Sequence, residues 1–244
     1  MNSTVFLLTL SQIAGHRRSL ALFVLAIVPV LLALIFGLGD NLDQQEWTAN
    51  VLLDGLIITI ALPLACLILG TSALGSEVED GTAIYILTKP IPRREIITAK
   101  FAAAALVAAA FLVPATVISG LIALQGSTGD GLIIGFTVAV LFGIAAYTGV
   151  FILLSVVTGR ALLIGLAYVF IWEAFATELF TGTRFLSIRQ YCLGIADLIA
   201  SVDSEDFEAN LGGVAGVILA SIVIAATLFL AVRRLQQFEL TETD

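Results

Sequence analysis

Three carboxylates stand where a charge is costly. Glu173 and Glu178 lie in YVFIWEAFATELF, and Asp54 lies in VLLDGLIITI. An ionisable side chain at membrane depth faces a water-filled path, a partner charge or backbone groups. The chemistry open to these three is therefore cation binding or proton relay along a translocation pathway. The structural alternative is hydrogen bonding near the membrane surface. Trp172 beside Glu173 fits an interfacial aromatic belt, which sets Glu173 shallow and in position for either role. Asp54 and Glu178 are expected at the interface itself.

A second group of charges lies in GSEVEDGTAIYILTKPIPRREI, Gly75 to Ile96. It holds Glu77, Glu79, Asp80, Lys89, Arg93, Arg94 and Glu95 in a chain that is 59% hydrophobic and only 12% charged. A helix over 82–89 would gather Ala83, Ile84, Ile86 and Leu87 within an arc of roughly 160° and leave Thr82, Tyr85, Thr88 and Lys89 opposite. Glu77, Glu79 and Asp80 would meet the positive end of its dipole. Pro90 and Pro92 would end it. Such a segment either ties two spans across the membrane surface or docks a partner.

Other chemistries are missing. No G-x-x-x-x-G-K-[ST] loop is present, nor H-E-x-x-H, nor a nucleophile with its base. His16 is the single histidine, and no metal cluster is expected. Cys66 and Cys192 read as packing residues too far apart to bridge. No catalytic residue and no nucleic-acid partner are expected.

The elements that position these residues follow from hydropathy. The mean hydropathy is +1.08, and several apolar runs reach the ~20 residues needed to cross a bilayer. Backbone groups in hydrocarbon must pair within their own segment, so these runs are helices. The fold class is an all-α membrane protein, one transmembrane domain over 1–244. Six spans are predicted: 19–38, 51–75, 97–124, 132–157, 161–180 and 211–232. The first is too long for a signal-peptide core. Pro63 and Pro114 are read as kinks within spans two and three. Residues 1–16 form an interfacial helix. Residues 76–96 form a loop on one side, and 181–210 form a long loop on the other, with one or two short helices of its own.

Lys and Arg set the orientation. Nine of them (Arg17, Arg18, Lys89, Arg93, Arg94, Lys100, Arg160, Arg233 and Arg234) share one side, against Arg184 and Arg189 on the other. The positive-inside rule places both termini in the cytoplasm of a cell-membrane protein. Asp40, Asp43, Glu46, Asp130, Asp197, Asp203, Glu205, Asp206 and Glu208 then lie outside. They form a solvated rim or a mouth attractive to cations. Gly131 and Gly135, and Gly212 and Gly216, let helices approach closely, with packing inside the bundle preferred over a dimer contact.

Glu77-x-x-x-Gly81-Thr82, then Leu87, Pro90, Arg93, and Lys100 at the head of a span resemble the ABC-2-type permeases, membrane subunits of type V ABC exporters. GTAIYILTKPIPRREIITAK is most similar to the multi-copper enzyme maturation permease branch. The resemblance implies that 76–96 is a coupling helix seated in a separate ABC ATPase subunit. Glu77, Glu79, Asp80, Gly81, Thr82, Tyr85, Lys89, Pro90 and Arg93 would make up that coupling site. It also implies two permeases as a homodimer and two ATPases, with ATP and Mg bound by the partner and no cofactor in this chain. ATP closure of the ATPase pair would drive alternating access. The alternative from another class is an ion- or proton-coupled carrier using Glu173.

Overall fold

The structure, a computed structural model, describes residues 6–10, 16–37, 44–79, 92–127, 130–176, 185–200, 207 and 209–237, with backbone alone at 16, 17, 74–79 and 174–176. Among the described residues there is no strand. The helices are α1 (His16–Gly37), α2 (Gln44–Trp47), α3 (Leu62–Glu79), α4 (Arg93–Ala123), α5 (Leu132–Val157), α6 (Ala161–Ala167), α7 (Ile188–Ile199) and α8 (Gly213–Gln237). Two π-helical stretches complete the chain path: Thr48–Ala61 joins α2 to α3, and Tyr168–Ala176 continues α6.

Five of the described helical segments are long and apolar enough to cross a bilayer: Arg18–Gly37, Gln44–Ala73, Arg93–Ala123, Leu132–Val157 and Gly213–Gln237. They coincide with five of the six expected spans to within a few residues, except that the second begins earlier, at Gln44. The remaining one is described only to Ala176, and its apolar helix Ala161–Glu173 is shorter than the others. Of the expected interfacial helix, residues 6–10 are helical; Leu7 and Leu8 are exposed and Thr9 is buried.

α5 is the hub. Its most apolar window is 61% buried, against 17% for α1 and 22% for α8. α3, α4, α7 and α8 all pack on it, burying Phe136, Tyr147 and Phe151. α1 and α8 turn apolar side chains outward; Val214, Ile218, Ile222 and Phe229 form one exposed stripe on α8. In a lipid solvent such a stripe is a solvated face, so what holds these helices is close packing rather than water exclusion.

The bundle has two chemically distinct ends. Ile97, Ile152, Val156, Ala231 and Leu235 pack together at one, and all but Ile152 lie within four residues of Arg93, Arg94, Arg160, Arg233 or Arg234 in sequence. Leu20 of α1 and Leu162 of α6 line one cleft with Leu67 and Ile68, which brings Arg18 and Arg160 to the same end. At the far end, Ala33, Leu52 and Ala123 pack together, and Phe36 stacks on Trp47 with ring centroids 3.6 Å apart.

At Pro63 the helix changes register. The last π-type bond runs from the Leu62 N–H to the Ile57 carbonyl, and the α register begins at Leu62, one residue before Pro63. The change of register falls beside the residue that has no N–H to donate. Pro114 lies within a continuous α4, and Pro29, which drew no comment from the sequence, lies within α1.

Candidate functional site

Among the described residues the charged side chains lie toward the two ends. At the far end the organising element is α7, the short helix of the long loop. Ser187 is its N-cap; its Oγ accepts from the Gln190 N–H at 3.3 Å. Glu173, on the second π stretch, completes that cap. Its Oε1 accepts from the Tyr168 hydroxyl at 2.8 Å and the Ile188 N–H at 3.0 Å. Its Oε2 accepts from the Ser187 hydroxyl at 2.5 Å and the Arg189 N–H at 3.4 Å. Four donors thus converge on a carboxylate that is 2% exposed. Two of them are first-turn amides that a helix leaves without internal partners, and the positive end of the α7 dipole faces the acid.

Arg189, the second residue of α7, reaches across to the first π stretch. Its Nε and Nη2 donate to Asp54 Oδ1 and Oδ2 at 3.0 and 2.8 Å, a planar two-point match that suits guanidinium and carboxylate. Thr59 Oγ1 donates to the same Asp54 Oδ1 at 3.3 Å. Asp54 and Glu173 therefore both hold the start of α7, one through a side chain and one through the backbone.

The π geometry makes this possible. Asp54 pairs with Thr59, and Glu173 with Tyr168, each five residues apart. In an α-helix residues five apart are separated by about 140°. The wider π turn brings them onto one face.

The body of α7 is wedged against α5 and α8 over glycines. A Cβ on Gly135 would stand 2.6 Å from the Ala196 carbonyl oxygen, and one on Gly216 would stand 2.8 Å from that of Tyr191. Of the two glycine pairs, Gly131, Gly135 and Gly216 make these intrachain contacts, while Gly212 is open and its neighbour Gly213 is the crowded one. Cys192 is fully buried against Gly143, and burial pushes its thiol well above the ordinary range. Cys66, expected to be remote from it, packs on the adjoining residue, its Sγ 3.9 Å from the Ile144 carbonyl. Both are free thiols.

At the basic end, α3 runs on to Glu79. Glu77 and Glu79 thus belong to its last turn, where the sequence placed them at the start of the next helix. Arg93 opens α4 behind Pro92. Asp80, Gly81, Thr82, Tyr85, Lys89 and Pro90 lie outside the described residues, as does Glu178 at the far end. Lys100 is 1% exposed, and its Nζ donates to the Ala73 carbonyl of α3 at 2.5 Å. Among the described residues no group of three His, Cys, Asp or Glu stands close enough to hold a metal.

The family model of the ABC-2 family transporter protein matches residues 16–188, more than half of the sequence. The chain belongs to this family. As an ABC-2 permease it is a multi-pass membrane subunit of an ABC transporter, without an ATPase site of its own, and it pairs with an ABC ATPase subunit. The match starts at the head of α1 and stops at the first residue of α7. It takes in Asp54, Glu173 and Lys100 and leaves out Arg189 and the body of α7. No curated protein matches the chain.

Four residues of the far-end cluster were not singled out as site residues by the sequence reading: Thr59, Tyr168, Ser187 and Arg189, the last read only as an outer basic residue. Ser187-x-x-Gln190 has the S-x-x-Q form of a capping box, and that signal marks the start of α7. Nothing local marks the pairing of Arg189 with Asp54, 135 residues away.

Proposed function

We propose that this permease works in an exporter, as a homodimer joined to two ABC ATPase subunits in the cell membrane, with both termini in the cytoplasm. In this reading the basic end faces the cytoplasm, and the connection between α3 and α4 carries the coupling segment. ATP binding closes the ATPase pair, and that movement enters the bundle through α3 and α4. The observation that carries the reading is the family match, joined to the gathering of the basic residues at the end where α3 and α4 meet. The resemblance of the coupling segment to the multi-copper enzyme maturation branch is part of this proposal.

α7 then lies at the extracytoplasmic end, capping the bundle. A carrier that protonated Glu173 in each cycle would have to displace at least one of its four donors and weaken the cap of α7. That commitment favours the ATP-driven reading over the ion-coupled one. The test is purification of the chain from its own membrane. An ABC ATPase should co-purify, and the complex should hydrolyse ATP faster than the ATPase alone. Substrate movement by the purified chain without ATP would defeat the proposal.

A further inference from the structure

A lysine at the head of a span ordinarily extends toward water and headgroups. Lys100 does the opposite. It lies two turns into α4, is almost fully buried, and donates from Nζ to the Ala73 carbonyl, 27 residues earlier on α3. Burying an ammonium is unfavourable unless polar groups replace its water. Here a helix carbonyl supplies one such group. It has a second lone pair beside the one used in the helix ladder, and it lies within the last two turns of α3, toward the negative end of the dipole.

The place of this contact matters more than its strength. α3 ends at Glu79 and α4 begins at Arg93, so Ala73 and Lys100 sit on the two arms of one short connection. Below them α4 offers a smooth surface: Ala103, Ala104 and Ala108 are all buried. Small side chains allow close approach but give few ridges against sliding, and packed helices yield by such shear. A directional bond from a buried cation fixes the register that the alanines leave loose.

We infer that Lys100 is a positioning residue of the transport cycle, pinning α3 to α4 so that a force on their connection moves both spans as one lever. The inference rests on the reading of the chain as an ATPase-coupled permease and assigns the transmitting contact within it.

The test uses the permease–ATPase complex in lipid nanodiscs and reads stimulation of ATP hydrolysis by the permease. Lys100→Met keeps an unbranched chain and loses the donors; Lys100→Arg keeps a cation. Met is expected to leave assembly intact and to lower stimulation about tenfold, within the usual range of coupling between sites, and Arg to restore part of it. Full stimulation in an assembled Lys100→Met complex would overturn the inference while leaving the permease reading in place. If the wild-type complex shows no stimulation, that reading falls and the inference with it. A second measurement does not depend on the variant folding. Spin labels at Ser76→Cys and Thr98→Cys, with Lys100 intact, should keep one separation with and without ATP. A separation that changes on ATP binding would show that the arms move independently and would overturn the inference.

Discussion

Arg189 grips Asp54 through two parallel hydrogen bonds, Nε to Oδ1 at 3.0 Å and Nη2 to Oδ2 at 2.8 Å, with each side chain only 13% exposed. The pair joins the second long segment of the chain to the loop helix that precedes the last. Removing one partner of a mostly buried pair leaves a charge without compensation. Asp54→Asn and Arg189→Met should each destabilise the protein by about 2–4 kcal/mol. The double variant should cost less than the two losses added together, with a coupling of about 1–3 kcal/mol. Thermal or denaturant unfolding of the four proteins in one detergent measures this, and strict additivity would remove the pair from the structure.

Glu173 is expected to act on α7 chiefly through the backbone. Glu173→Gln presents an amide N–H₂ to groups that are all donors, so at least one of them loses its acceptor, at a cost of about 1–3 kcal/mol. The local signature is hydrogen exchange. Amides of Ile188 and Arg189 should exchange faster in the variant, while those in the middle of α5 keep wild-type protection. Unchanged protection at the start of α7 would rule out the capping role.

The two ends differ in how far they could be read from the chain. Apolar runs located the long helices because in a bilayer that signal is imposed on each segment separately. The far-end cluster was hidden by its period. Sequence reasoning at 3.6 residues per turn sets Tyr168 and Glu173 on different faces, and only the π turn brings them together. Glu173 was singled out as costly, yet two of its four donors are amides at the unpaired end of another helix, which no side-chain pattern announces. The glycines at 131 and 135 announced close approach, but their partner is α7, not another span.

That approach makes a sharp comparison possible. Gly135→Ala places a Cβ 2.6 Å from the Ala196 carbonyl oxygen, a backbone atom that cannot swing aside. α7 or α5 must shift, at about 1–3 kcal/mol. Gly159→Ala meets nothing within 4 Å and should be nearly silent. The difference in melting temperature between the two variants reads the fit of α7 on α5. Equal temperatures would mean that α7 does not sit on that glycine.

The two thiols should be inert while the protein is folded. The thiolate is the reactive species, and burial pushes the Cys192 thiol upward, so less thiolate exists at any given pH. Sign follows directly: raising the pH from 7 to 9 should barely speed labelling of the native protein, whereas a free thiol would gain most of its reactivity there. A membrane-permeant maleimide should modify both cysteines only after unfolding in SDS. Rapid labelling of Cys192 in the native protein would show that α7 leaves its site.

The coupling assignment can be tested apart from folding, because Glu79 is the last described residue of α3, away from its apolar body, and Asp80 follows it in sequence. Reversing both charges, Glu79→Lys with Asp80→Lys, should leave insertion in the membrane intact, since charges near a span on the basic side agree with the orientation rule. If the segment docks an ATPase through these acids, the reversal juxtaposes like charges at the contact, which suppresses a partner more effectively than mere loss of attraction. Stimulation of ATP hydrolysis should then disappear while the permease remains in the membrane fraction at wild-type levels. Full coupling in the double variant would move the docking surface away from these residues and leave the segment 82–89 a simple tie between two spans.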